Sequence, residues 1–169
     1  VYKRQALEGP VAELARLTAS AVAADVVEAL EHDGGVIVEG FLDSETLDGL
    51  RDDLLPRLER QATGRDGFSG YRTRRLGALF AHTRHCATIA THPLYLPVAE
   101  HFLCRPREVW VGDDRLTLAA DVRIGVTQAI QLAPGQGAQP LHRDDTAFMW
   151  RHPTGGREGR VQIICAPSD

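Results

Sequence analysis

The stretch "QLAPGQGAQPLHRDD", residues 131–145, decides how the chain is read. An apolar run gives way to a Pro-Gly turn, and a His-Arg-Asp follows just before the aromatic "TAFMW". Three readings compete for His142, Arg143 and Asp144: metal ligands, a kinase-like catalytic loop, or a solvated surface turn. The kinase reading needs the pattern HRDxxxxN, in which the Asn holds magnesium. Here Met149 occupies the Asn position, and the whole chain contains no asparagine. Its only lysine is Lys3, so no VAIK-type strand exists either.

The metal reading asks for less. On extended chain, residues i and i+2 point the same way. His142 and Asp144 would then face one ion while Arg143 points elsewhere. A pair of this kind is two-thirds of the 2-His-1-carboxylate triad, which grips Fe(II) on one face and leaves positions open for chemistry. As a bare tripeptide, H-x-D is a weak pattern in a chain with seven histidines and 23 acidic residues, so the surface turn stays open at this point.

Around this stretch the texture changes along the chain. Residues 11–31 are rich in Ala, Leu and Glu, and Val22, Val26, Val27 and Leu30 recur at helical spacing. "HDGG" ends that helix, because glycine tolerates the left-handed conformation of a C-terminal stop. "VIVEGF" reads as a strand. Asp43 is placed as an N-cap with Glu45 in the first turn, and Leu47, Leu50, Leu54 and Leu58 form one apolar face. Pro56 is expected to kink or split this helix near its end. "QATGRDGFSG" is a loop by composition. "YRTRRLGALF" carries Arg72, Arg74 and Arg75 before it turns apolar. Residues 93–103 read as a short helix. From Leu116 onward β-branched and alternating residues predict strand, with another strand in "VQIICAP". Helices first and strands later make an α+β chain whose sheet begins late.

Composition narrows the function classes. The 169 residues fit one domain and have a formal net charge of −4. With a pI near 6.0, the chain lacks the basic face of a nucleic-acid or anionic-membrane binder. No apolar run approaches the ~20 residues of a membrane span. Cys86, Cys104 and Cys165 are odd in number and form no CxxC, the pattern of reduced thiols in a cytoplasm.

Taken together, "GGVIVEGFLDSETLDGLRDDL", "YRTRRLGALF", "HPLYLPVAEHFL", "QAIQLAPGQGAQPLHRDD" and "VQIICAPSD" resemble, in order, the phytanoyl-CoA dioxygenase family of non-haem Fe(II), 2-oxoglutarate-dependent oxygenases. The resemblance implies N-terminal helices packed on a double-stranded β-helix, a cupin-like jelly-roll, with residues 1–169 forming a single oxygenase domain. It implies that His142 and Asp144 ligate iron. It also implies that Gln139, three residues before the histidine, helps hold 2-oxoglutarate, and that an arginine of "YRTRRLG" meets a cosubstrate carboxylate. Arg72 and Arg74 are both read onto one strand face, so either could serve, with Arg74 the first choice; arginine suits the role because its planar fork pairs a carboxylate through two hydrogen bonds. The partners implied are O2 and a small organic substrate, with no nucleic acid and no membrane.

The family pattern also calls for a distal histidine as third ligand and an arginine beyond it. Neither is found after "VQIICAPSD", so the C-terminal part of the domain and its jelly-roll are expected to be missing from these residues. His152, in the loop-like "RHPTGG", is a poor substitute. His82, His85, His92 and His101 lack ligand spacing and read as structural or surface. Phe148 and Trp150 are expected to wall the pocket or the core. Two rival functions remain: a catalytically inactive barrel-fold binding protein without the full iron triad, and a metal-dependent cupin-like isomerase that would need neither Arg74 nor Gln139.

Overall fold

The structure is a computed structural model that describes residues 13–144 and 158–166. It divides into two compact units, residues 1–41 and 42–169. In the first, strand β1 (Ala15–Thr18) and strand β2 (Val36–Glu39) pair in parallel, from Ala15↔Val36 to Thr18↔Glu39, and helix α1 (Ala23–Asp33) connects them. Parallel neighbours require such a crossover. The Asp25 carboxylate accepts from the Val22 N–H at 3.0 Å to start α1, and Gly34 ends it at φ 72°. Residues 15–18 therefore correct the expectation of a helix across 11–31. Their exposure alternates with period two, and hydrogen bonding to β2 overrides the helical propensity of Ala and Leu.

The second unit is built on helix α2 (Ser44–Leu58). The Asp43 carboxylate accepts from the Thr46 N–H at 2.7 Å, as the N-cap reading expects. Leu50, Leu54 and Leu58 bury one face of α2 against Leu76, Leu79 and Cys86, with Leu42, Ile89 and Ala129 packed around them. Pro56 does not split the helix, which runs on to Leu58. Both Pro56 and Asp52, whose carbonyl loses its N–H partner, are exposed, so water can take up the freed group.

Strand β3 (Thr73–Gly77) lies antiparallel to strand β6 (Gln128–Leu132), in register from Thr73↔Leu132 to Gly77↔Gln128. Between them in sequence come helix α3 (His85–Ala90), helix α4 (Tyr95–Leu103) and a hairpin of strands β4 (Arg107–Val111) and β5 (Asp114–Leu118). The hairpin turns at Gly112, φ 62°.

The α+β texture stands, but the described residues hold three two-stranded sheets and no closed barrel. Residues 119–127 and 161–166, read as strand, are irregular. β-Branched residues favour strand only where a neighbouring ladder receives them, and the described residues supply none at these positions. Among the described residues no helix is long and apolar enough to cross a membrane. His152, Phe148 and Trp150 lie outside the described residues.

Candidate metal centre

Sheet β3–β6 brings two irregular segments side by side. After β6, the Ala133 N–H donates to the Arg72 carbonyl at 3.0 Å, and Gly135 turns the chain at φ 83°. Arg72 is bound on both sides of this turn: its N–H donates to Gln136 Oε1 at 2.8 Å and its guanidinium to the Pro134 carbonyl at 2.9 Å. The loop before β3 is fastened internally. Asp66 Oδ1 accepts from the N–H groups of Phe68 (2.9 Å) and Ser69 (2.6 Å), and the Arg75 guanidinium donates to the Ser69 carbonyl.

These bonds act chiefly on the ionised form of Asp66. The Ser69 backbone N–H makes the largest contribution, and the Ser69 side chain, Phe68 and Arg75 add to it, holding the carboxyl below its ordinary value of 3.8. Because the folded-state value is depressed, the loop gains order that is fully present above 3.8 and is lost as pH falls through the lower folded value. Asp66→Ala should therefore speed amide exchange at Phe68 and Ser69 at neutral pH and leave α2 unchanged. Unaltered exchange in the loop would contradict this.

Gly70 sits at φ 83°, and a Cβ there would collide with the buried Thr73 side chain and approach Gln136 Oε1 at 3.0 Å. Gly70→Ala is expected to lower stability by about 1–2 kcal/mol from the left-handed backbone alone. Denaturant unfolding of the full-length protein measures it, and a neutral result would show that the loop relaxes freely.

His142 and Asp144 lie where this loop meets the segment after the turn. His142 Nε2 stands 3.4 Å from Asp144 Oδ1. They meet on irregular chain, since residues 136–143 form no strand. His142 Nδ1 lies 2.8 Å from the Pro140 carbonyl, an oxygen that can only accept. Asp144 Oδ1 can also only accept, but it is the longer contact, so the shorter one places the neutral ring's proton on Nδ1 and leaves the Nε2 lone pair towards the carboxylate. Asp144 Oδ2 accepts from Gln162 Nε2 at 2.6 Å, which orients the other carboxylate oxygen.

A lone pair facing a carboxylate oxygen is unfavourable unless the ring takes up a second proton or a metal cation stands between them. Two adjacent ligands, each about 2.1 Å from an octahedral ion, are about 3.0 Å apart, a few tenths below the observed spacing. The pair and its outer hydrogen bonds thus fit a small divalent ion. Among the described residues no third His, Cys, Asp or Glu joins them.

The other sequence candidates are distributed differently. Gln139 Nε2 donates to the Phe68 carbonyl at 2.7 Å. Arg72 precedes β3 and is committed to the turn. Arg74 is opposite Gln131, and its guanidinium donates to Gln131 Oε1 at 3.3 Å. Its buried Nε–H has no partner among the described residues, a donor that a carboxylate would satisfy. Arg74 shares its face of β3 with Leu76, which packs against α2, so a carboxylate meeting it must lie on that side of the sheet.

Sequence reading missed Phe68 and Gln162. Phe68 meets the His142 ring edge-to-face, centroids 4.9 Å apart. Each left a trace: a single aromatic in a Gly-rich loop, and a single amide inside the apolar run "VQIIC".

Residues 30–166 match the family described as Phytanoyl-CoA dioxygenase (PhyH). The dioxygenase aneA of Aspergillus aculeatus is 30% identical over 169 residues, covering 94% of this chain and 53% of its own length. The dioxygenase cnsJ of Penicillium expansum is 31% identical over 129 residues, 76% of this chain and 38% of its own. The multifunctional dioxygenase ausE of Aspergillus calidoustus is 28% identical over 161 residues, 90% and 50% respectively. The chain spans about half the length of the curated relatives it matches.

Proposed function

Since the chain belongs to the phytanoyl-CoA dioxygenase family, we propose that the full-length protein is an Fe(II)/2-oxoglutarate-dependent dioxygenase. It hydroxylates a small organic molecule, a secondary metabolite or similar compound, and releases succinate and CO2. The observation that carries this reading is the 3.4 Å approach of His142 Nε2 to Asp144 Oδ1 within the matched region. The names of the relatives, all dioxygenases, support the reaction class.

His142 and Asp144 hold the iron, which when bound supplies the oxidising chemistry that O2 and the keto acid sustain. The protein's own part is placement. The Pro140 carbonyl keeps the proton on His142 Nδ1, so that Nε2 stays a donor to metal. Gln162 holds the second oxygen of Asp144, so that Oδ1 keeps its aim. The Arg74 Nε–H is the proposed anchor for a carboxylate of 2-oxoglutarate, with Arg72 as the alternative and the second Nε2–H of Gln139 as a neutral donor. The reaction would proceed in a cupin-like jelly-roll whose strands include β3 and β6, and residues 1–169 would form part of that single oxygenase domain. The acidic balance disfavours a large polyanionic partner such as a CoA ester. Three free thiols suit a cytoplasmic setting.

Anaerobic titration of the full-length protein with Fe(II) and then 2-oxoglutarate tests this reading. A weak visible charge-transfer band is expected. Its absence, with no iron bound, would favour a catalytically inactive barrel-fold binding protein.

A further inference from the structure

Phe68 stands on a loop that is tied to the His142 segment at several points. Asp66 and Arg75 set the loop's own shape through the Phe68 and Ser69 backbone. Arg72 joins the end of the loop to Pro134 and Gln136. Gln139, three residues before His142, reaches across to the Phe68 carbonyl at 2.7 Å. These ties fix the Phe68 backbone, and the Phe68 ring stands against one residue of functional interest. The Phe68 and His142 rings meet with centroids 4.9 Å apart and planes at 67°. Phe68 nevertheless remains 52% exposed, so burial in the core does not explain its place.

An imidazole turns about χ2 in a broad, nearly two-fold well. The Pro140 carbonyl restrains Nδ1 from one side. The Phe68 ring lies against the imidazole on another side, and an edge-to-face pair prefers a defined angle. We propose that Phe68, seated by Gln139, is a positioning residue that holds the His142 imidazole with Nε2 directed at Asp144 Oδ1. The inference rests on the reading of His142 and Asp144 as metal ligands. It gives Gln139 a task at the metal centre that does not involve a keto acid.

The test uses the full-length protein and Co(II) alone, with affinity read by titration and ligand geometry by the visible d–d band. Phe68→Ala should weaken Co(II) binding about tenfold, the lower end for loss of an outer partner, and should alter the band. Phe68→Leu, which keeps apolar bulk but not the ring, should behave similarly, so the test survives if Phe68→Ala fails to fold. Phe68→Tyr should restore both affinity and band. Gln139→Ala should weaken binding in the same direction. Combining it with Phe68→Ala should add little, because both changes release one strap.

His142→Ala separates the two layers of the argument. If it abolishes Co(II) binding while Phe68→Ala and Phe68→Leu bind with wild-type affinity and spectrum, the positioning role is wrong and the metal reading stands. If His142→Ala binds Co(II) like the wild type, the metal reading fails and the inference with it. Equal losses in Phe68→Tyr and Phe68→Ala would also overturn the role, since the ring would not be what matters.

Discussion

His142→Ala in the full-length protein is expected to abolish iron binding and with it all turnover. The imidazole is the nitrogen ligand that the described residues bring to Asp144, and its Nε2 is already aimed at the carboxylate from 3.4 Å. Removing it leaves Asp144 with whatever the remainder of the protein contributes, and two ligands rarely hold Fe(II) against water. Gln162→Ala should act in the same direction but more weakly, because it frees Asp144 Oδ2 without removing a ligand. Anaerobic Fe(II) titration measures both. Wild-type iron affinity in His142→Ala would mean that the pair is an ordinary His-Asp contact, and the iron would have to be held elsewhere.

The second large effect is expected at Arg74. Arg74→Ala should weaken 2-oxoglutarate binding about ten- to a hundredfold while iron binding changes little, since a hydrogen bond to a charged group is worth roughly 1.5–3 kcal/mol. Arg74→Lys should recover part of the loss, because it restores the charge but not the two-pronged geometry. The unpartnered Nε–H is the reason to expect this. The guanidinium contact to Gln131 gives a competing account in which Arg74 only ties β3 to β6. Titration of the iron-loaded protein with 2-oxoglutarate decides between them. If Arg74→Ala leaves that affinity unchanged and Arg72→Ala lowers it, the anchor is Arg72. If neither matters, the arginine cluster is structural.

Local signals carried most of the element reading, because each depends on a few neighbouring residues. Asp43 caps α2 through its own carboxylate, Gly34 ends α1 because it lacks a Cβ, and the leucines of α2 recur at the helical period. The elements misread were strands, or stretches taken for strands. Residues 15–18 look helical in isolation and become strand only because β2 lies beside them. Residues 119–127 and 161–166 look like strand and are irregular, since the described residues supply no ladder there. Pro56 is expected to kink or split α2, and its place on an exposed face lets the helix run on unsplit to Leu58.

For the site, the sequence by itself determined the candidate donors: His142 and Asp144, the arginines near β3, and Gln139, whose types and spacing are properties of a short stretch of chain. Only the tertiary structure decided what each donor faces. Pro140 sets the His142 tautomer, and Gln162, eighteen residues past Asp144, takes its second oxygen. Gln139 spends its amide on Phe68, 71 residues away. Arg72 and Arg74, read onto one strand face, part company: one is bound to the Pro-Gly turn and the other faces Gln131 across the sheet. A residue type specifies which bonds a side chain is able to make, but partners distant in sequence are chosen by packing, which no local pattern records.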